Sequence, residues 1–216
     1  APTTLDLSPL FSDVDLGDTP ADVLTYTALS ADGSLIAATV SGSGLTLAPQ
    51  PDANGSTTVT VTAEDTAGAT AALVVDVTVN PVQDAPVVDV APADVSVAED
   101  SGPTTFSLAG AFLDVDGDPL TYSLASGDDP ALLTVSVDGA TGTVSLTPVA
   151  DANGTASLTF EATDGVAAPA AVTVGVTVTA VNDGPVAGTA APVVVDEDSA
   201  PTTLDLSPLF SDVDLG

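Results

Sequence analysis

Chemistry in this chain can come only from carboxylates, hydroxyls, amides and the backbone. Its 216 residues include 31 Asp and Glu but no Lys, Arg, His or Cys. The densest acidic pattern is Asp114-Val115-Asp116-Gly117-Asp118, and Asp13-Val14-Asp15 repeats its first half at an equivalent place. Alternating carboxylates on a tight, glycine-containing loop can converge their oxygens on one hard cation, calcium above all. The competing reading is a polar turn, because Asp and Gly favour turns without any ion. Recurrence of the motif favours the ion, and so does the lack of any cationic side chain to pair with a carboxylate. Crowded carboxylates raise one another's pKa and repel in a compact state. A divalent cation relieves that repulsion directly.

The missing residue types exclude most other chemistry. There can be no Ser-His-Asp triad, thiol nucleophile, soft-metal site, Schiff base or cationic phosphate clamp. A net charge of -31 repels nucleic acid. Asp65-Thr66-Ala67-Gly68 is faintly similar to the Asp-Thr-Gly of aspartic proteases. Its counterpart, Asp164-Gly165-Val166-Ala167, has neither Thr nor Gly in register, so both read as turns. A glycosidase carboxylate pair is formally open, but carbohydrate sites usually use aromatic platforms. Trp is absent, and Tyr26 and Tyr122 sit at equivalent strand positions. The expectation is a protein that is not an enzyme. Asn54-Gly55-Ser56 and Asn153-Gly154-Thr155 fit the N-glycosylation pattern, although Asn-Gly is expected here as a hairpin turn.

The elements that must position these groups are strands. Thr57–Thr62, Ala72–Val79, Leu132–Val137, Ala156–Ala162 and Ala171–Ala180 alternate with period two and are rich in β-branched residues. Gly, Pro, Asn and Asp cluster between them at roughly 8–12-residue spacing, as in a β-sandwich. The Thr58, Thr60, Thr62 ladder is expected to face away from the core. Hydrophobic residues make up 44% of the chain, mainly Ala, Val and Leu, enough for packed cores. Mean hydropathy is +0.43, yet no run of about 18 apolar residues exists, so no membrane insertion is expected. Any export signal is expected to lie outside these residues. The absence of Cys suits an exported bacterial protein that uses no disulfides.

Repeats organise the whole chain. Residues 1–17 recur unchanged as residues 200–216, a period of 199. Inside it, Asp52-Ala53-Asn54-Gly55 returns 99 residues on as Asp151-Ala152-Asn153-Gly154, and Leu24-Thr25-Tyr26 returns as Leu120-Thr121-Tyr122. Each module then has about 99 residues and about seven strands. Boundaries fall at Val82-Gln83-Asp84-Ala85-Pro86 and Val181-Asn182-Asp183-Gly184-Pro185. Residues 1–84 read as a module lacking its first strand, 85–183 as a complete one, and 184–216 as the first strands of a third. Joining residue 199 to residue 1 of another copy would complete every module.

Several of these stretches resemble a known pattern. Val181-Asn182-Asp183-Gly184-Pro185 is similar to the Asn-Asp linker that ends cadherin repeats. Val97-Ala98-Glu99-Asp100 and Val195-Asp196-Glu197-Asp198 resemble the acidic opening strand. The loop Asp114–Asp118 resembles the Asp-x-Asp loop, and Ala162-Thr163-Asp164-Gly165 the Ala-x-Asp-x-Gly stretch. The chain thus resembles the cadherin-like tandem repeats of giant bacterial surface adhesins, including the repeats-in-toxin type. The resemblance implies an all-β fold of tandem cadherin-like or immunoglobulin-like β-sandwiches, linearly arrayed, with calcium (Ca2+) at each junction. By the same resemblance, one junction would use Glu99, with Asp100 as an additional candidate, then Asp151, Asn182, Asp183, Asp212 and Asp214. The other would use Asp52, Asp84, Asp114, Asp116 and Asp164. Asp13 and Asp15 are the first-module counterparts of Asp114 and Asp116. Ala180 and Gln83 stand where the family has Asp and Asn, and Asp-Ala-Asn replaces Asp-Arg-Glu, so charged ligands are fewer.

The expected function is therefore a calcium-stiffened structural extender of an exported surface adhesin or filament. Its expected partners are calcium and neighbouring copies of the same repeat, in one long chain or filament. The alternative is modules that themselves bind carbohydrate or a partner strand, or that build an extracellular sheath or lattice. Identity between the 17-residue copies favours the spacer.

Overall fold

The computed structural model describes residues 2–14, 16 and 23–214. They belong to two compact units, Ala1–Gln83 and Asp84–Gly216. In the first unit the chain forms β1 (Thr3–Asp6), β2 (Thr25–Ser30), β3 (Ile36–Ser41), β4 (Gly44–Pro49), β5 (Gly55–Glu64) and β6 (Thr70–Val79). These build two antiparallel three-stranded sheets, ordered β1-β4-β3 and β2-β5-β6. Alternation turns Val59 and Val61 inward to meet Leu7, Ile36, Leu45 and Val77 in one core. Thr58, Thr60 and Thr62 take the opposite face of β5, as period-two geometry requires. Gly42, at φ 59°, closes the short β3–β4 hairpin in a conformation that a Cβ disfavours.

The second unit repeats this plan and adds to it. It contains β7 (Val87–Val88), β8 (Val95–Ala98), β9 (Thr104–Ser107), β10 (Phe112–Leu113), β11 (Thr121–Ser126), β12 (Leu133–Val137), β13 (Thr143–Pro148), β14 (Gly154–Thr163) and β15 (Ala170–Thr179). One sheet is ordered β11-β14-β15-β8, the facing one β12-β13-β9, and β7 pairs with β10. Strand β8 lies parallel to β15, with Val95 opposite Val176 and Val97 opposite Val178. Asp94 holds it there. The Gly175 N–H donates to Asp94 Oδ1 at 2.8 Å, and a Cβ on Gly175 would meet that oxygen at 2.9 Å. The core gathers Val97, Leu108, Leu133, Leu146, Leu158 and Phe160 with the inward valines of β15. Further along come β16 (Val186–Ala187) and β17 (Phe210–Ser211), paired antiparallel, with a 3-10 turn at Ser207–Leu209.

The strand runs expected from alternation are all strands. The Asn-Gly pairs differ from expectation, because neither closes a hairpin. Each lies where the chain leaves one sheet for the other, between β4 and β5 or between β13 and β14. Crossing the sandwich takes a longer connection than a two-residue turn, and Gly55 and Gly154 instead open the next strand. Tyr26 and Tyr122 lie at matching places in β2 and β11. Each packs a ring against a phenylalanine, Phe11 at 5.7 Å and Phe112 at 6.2 Å.

Candidate metal sites

Strand geometry brings two groups of carboxylates together in the second unit. The first is the loop from β10 to β11, where oxygens of Asp114, Asp116 and Asp118 lie within 4.8 Å of one another. Local bonds shape it. The Asp116 N–H donates to Asp114 Oδ1 at 2.9 Å, and Gly117 turns the chain at φ 76°. Asp116 Oδ2 in turn accepts the Asp84 N–H at 2.7 Å, which ties the boundary residue to the loop. Asp114 is only 8% exposed, and its Oδ2 is buried without a partner.

Asp164 belongs to the same end of this sheet, because Thr163 pairs with Thr121 just after the acidic loop. Its Oδ1 accepts from Val166 N and Ala167 N, and its Oδ2 is buried and unpartnered. The Val166 N–H is the main reason its carboxyl sits below the ordinary value, against an opposing effect of desolvation.

The second group joins Asp100, Asp151 and Asp183, again with oxygens within 4.8 Å. These residues are far apart in sequence. Asp100 follows β8, Asp151 lies between β13 and β14, and Asp183 follows β15. Asp100 and Asp151 both hold positive φ, 60° and 56°, an uncommon conformation that short polar side chains tolerate best. Glu99, 2% exposed, braces the group: its Oε1 accepts the Val181 N–H at 2.8 Å and its Oε2 the Asn153 amide at 3.3 Å. The Asp183 N–H donates to Asp214 Oδ2 at 2.7 Å, and the Asp214 N–H to Asp212 Oδ1 at 3.0 Å. Desolvation pushes the Asp183 carboxyl above its ordinary value, and the charges of Asp100, Asp151, Asp214 and Glu99 push it further. Its Oδ2 is buried with no partner.

Among the described residues, three buried side-chain oxygens lack a hydrogen-bond partner, and all three are carboxylate oxygens of expected ligands. Orphaned buried acceptors cost free energy unless a donor or cation meets them. All-oxygen donor sets of this kind fit a hard divalent ion, calcium first.

The remaining expected ligands are placed less closely. Asn182 turns its amide to the Asp183 carbonyl at 2.6 Å, so its nitrogen is engaged there. Asp52 belongs to the first unit, where its φ of 57° matches that of Asp151. Asp13 lines a shallow pocket of the first unit together with Asp65, the counterpart of Asp164. Asp15 lies outside the described residues. Asp118 was not among the expected ligands, although the Asp-x-Asp-x-Asp alternation already contained it. Asp65 was read as a turn, and its Oδ1 does accept from Ala67 N and Ala69 N. Its place beside Asp13 is legible only from the repeat.

The bacterial Ig domain family matches this chain twice, over residues 1–78 and 83–177. No curated protein sequence matches it significantly. Among solved structures, mouse cadherin-23 (repeats EC22–24) is similar at 19% identity and a TM-score of 0.50, over 73% of this chain and 53% of that one. Protocadherin gamma B7 (extracellular cadherin domains 1–4) is similar at 23% identity and a TM-score of 0.50, over 81% and 46%. An endo-fucoidan hydrolase of glycoside hydrolase family 107 aligns at 21% identity over 76% of this chain but 26% of its own, with a TM-score of 0.38. The chain thus spans about half of these cadherin chains and about a quarter of the hydrolase. The fold is all-β and of the immunoglobulin and cadherin type.

Proposed function

We propose that this chain, which belongs to the bacterial Ig domain family, is a calcium-stiffened structural extender of an exported bacterial surface protein. The observation that carries this reading is the set of orphaned carboxylate oxygens on Asp114, Asp164 and Asp183, in a chain with no cationic side chain. Asp100, Asp151 and Asp183, with Glu99 and Asp214 beside them, would hold one ion. Asp114, Asp116 and Asp118 would hold another. The bound cation would neutralise like charges that otherwise repel, and would fix loops and boundary residues that meet at the end of a sandwich. The gain is mechanical, a loss of hinge freedom between consecutive modules, and no catalytic step is assigned. Among the described residues no helix is long and apolar enough to cross a membrane.

The test is thermal unfolding and small-angle scattering in calcium and in chelator. An ion that binds only the native state raises stability by about 2.7 kcal/mol at a hundredfold excess over its dissociation constant. Calcium should raise the melting temperature and lengthen the scattering envelope, and magnesium should do so poorly because it demands tighter octahedral geometry. Equal melting temperatures and equal envelopes in the two buffers would overturn the reading.

A further inference from the structure

The three segments that carry Asp100, Asp151 and Asp183 also meet through a second set of side chains and amides. Glu99 precedes Asp100, Asn153 follows Asp151 by two residues, and Val181 precedes Asp183 by two. The Glu99 carboxylate joins all three segments. Its Oε1 accepts the Val181 N–H at 2.8 Å and its Oε2 the Asn153 amide at 3.3 Å, and the side chain is buried. The segments are not tied equally by other means. Those of Glu99 and Val181 continue β8 and β15, which pair in parallel. The Glu99 N–H donates to the Thr179 carbonyl at 3.0 Å, and the Thr179 hydroxyl to the Val97 carbonyl at 3.2 Å. Residues 151–153 lie outside any such pairing, because the β14–β15 ladder starts only at Gly154 opposite Val178. Among the described residues, two hydrogen bonds hold them to the Glu99–Asp100 corner: the Asn153 amide on Glu99, and the Asp151 N–H on Asp100 Oδ1 at 3.3 Å.

We infer that Asn153 is a positioning residue for this cluster: through Glu99 it clasps Asp151 against Asp100 and Asp183 while no ion is bound. The use of that clasp, a calcium site assembled in advance, rests on the function proposed above. Three carboxylates drawn to one point repel one another. Asp183 loses hydration there and feels the charges of Asp100, Asp151, Asp214 and Glu99. Such a group opens without an ion unless something else holds it. The Asn153 amide suits that task, because it donates to a carboxylate and adds no charge of its own. A carboxylate at 153 would face Glu99 and drive the segments apart.

Glu99 then belongs to the clasp rather than to the ion. Both of its oxygens already accept from N–H donors, and neither is an orphaned acceptor, whereas Asp183 Oδ2 is one. The oxygens gathered within 4.8 Å of one another are those of Asp100, Asp151 and Asp183, without Glu99. The resemblance to cadherin repeats had made Glu99 a ligand; its bonds here give it a different task. A site whose ligands are already in place binds without first ordering them, and affinity gains by the ordering avoided.

The experiment uses the whole 216-residue chain, with the Val181 amide followed by NMR. In chelator, Asn153→Asp should lower the melting temperature and speed hydrogen exchange at Val181, because two carboxylates then face each other. Adding Glu99→Gln to that variant should restore both, since the new amide can accept from Val181 and donate to the new carboxylate. Calcium titration read at the same amide is the second arm. Asn153→Ala removes the donor without adding charge, and should raise the half-saturating calcium concentration about fivefold, the worth of one hydrogen bond. The Glu99→Gln, Asn153→Asp double variant should keep the wild-type half-saturation. Unchanged melting and exchange in Asn153→Asp, no recovery in the double variant, or a wild-type half-saturation in Asn153→Ala would each overturn the inference. So would a double variant that regains stability but loses calcium, because Glu99 would then be a ligand. A wild-type chain indifferent to calcium sinks the extender reading instead, and the chelator arm still decides the clasp.

Discussion

Residues 1–17 and 200–216 have the same sequence, and their described residues have different structures. In the first copy Thr3–Asp6 is strand β1, paired with β4 from Thr3 opposite Leu47 to Asp6 opposite Gly44. In the second, Thr202–Asp205 carries no strand. Leu7 is 0% exposed beneath Leu45 and Val59, whereas its copy Leu206 is 55% exposed. The turn survives both settings, including the backbone bond from Leu10 N–H to Leu7 and from Leu209 N–H to Leu206, each 3.0 Å. Ser8 N–H and hydroxyl donate to the Asp6 carboxylate, and Ser207 N–H and hydroxyl donate to that of Asp205. The turn is therefore a property of the local sequence. The strand and the buried leucine need a partner strand and a core to enter.

The largest test of that contrast is to shorten the two leucines. Leu7→Ala should cost about 2–5 kcal/mol, since a cavity is left in a packed core. Leu206→Ala should stay within about 0.5 kcal/mol, the usual range for surface changes. Denaturant unfolding of dilute chain in chelator measures both, and equal losses would break the comparison.

A smaller effect concerns the carboxylates of the second copy, where Asp214 accepts from the Asp183 N–H. Asp214→Ala and Asp183→Asn should each remove most of the stability that the ion at this cluster adds, about 2.7 kcal/mol at a hundredfold excess, and leave the share of the ion at Asp114, Asp116 and Asp118. Asp205→Ala, in the same copy but outside the cluster, should leave it in place. Calcium titration of the melting temperature reads all three. A full rise in Asp183→Asn would show that the ion does not use the orphaned oxygen.

The smallest effect is the one the copies share. Hydrogen bonds from Ser8, backbone first, hold Asp6 below its ordinary pKa, and those from Ser207, hydroxyl first, do the same for Asp205. A carboxyl with a lowered folded pKa adds stability above its unfolded value of about 3.9 and loses it as pH falls through the folded value. NMR titration should find both carboxyls titrating low. Ser8→Ala and Ser207→Ala should each move the neighbouring aspartate part-way back. A response in only one copy would mean that the turn depends on its surroundings after all.

The same division applies to the rest of the molecule. Strands β5, β6, β14 and β15 were legible because period-two alternation over ten residues leaves little else to form. The acidic loop was legible too, since Asp114, Asp116 and Asp118 are neighbours in sequence and their turn is closed by local bonds. Glu99 as a buried, doubly bonded brace was not readable from local pattern, because its partners Asn153 and Val181 arrive from other strands. The role of the Asn-Gly pairs was misread, since a hairpin and a crossing between sheets begin with the same residues.

By itself, then, the sequence determined the alternation, the turns made by aspartate on its own neighbours, and a charge that no side chain here can neutralise. Those rest on forces acting over a few residues or on composition alone. Tertiary structure decided which copy of an identical segment became a strand. It also brought Asp100, Asp151 and Asp183 to one point. Burial of an apolar side chain and convergence of distant carboxylates both need surfaces that exist only once the sheets have paired and packed, so identical residues at positions 7 and 206 meet opposite fates.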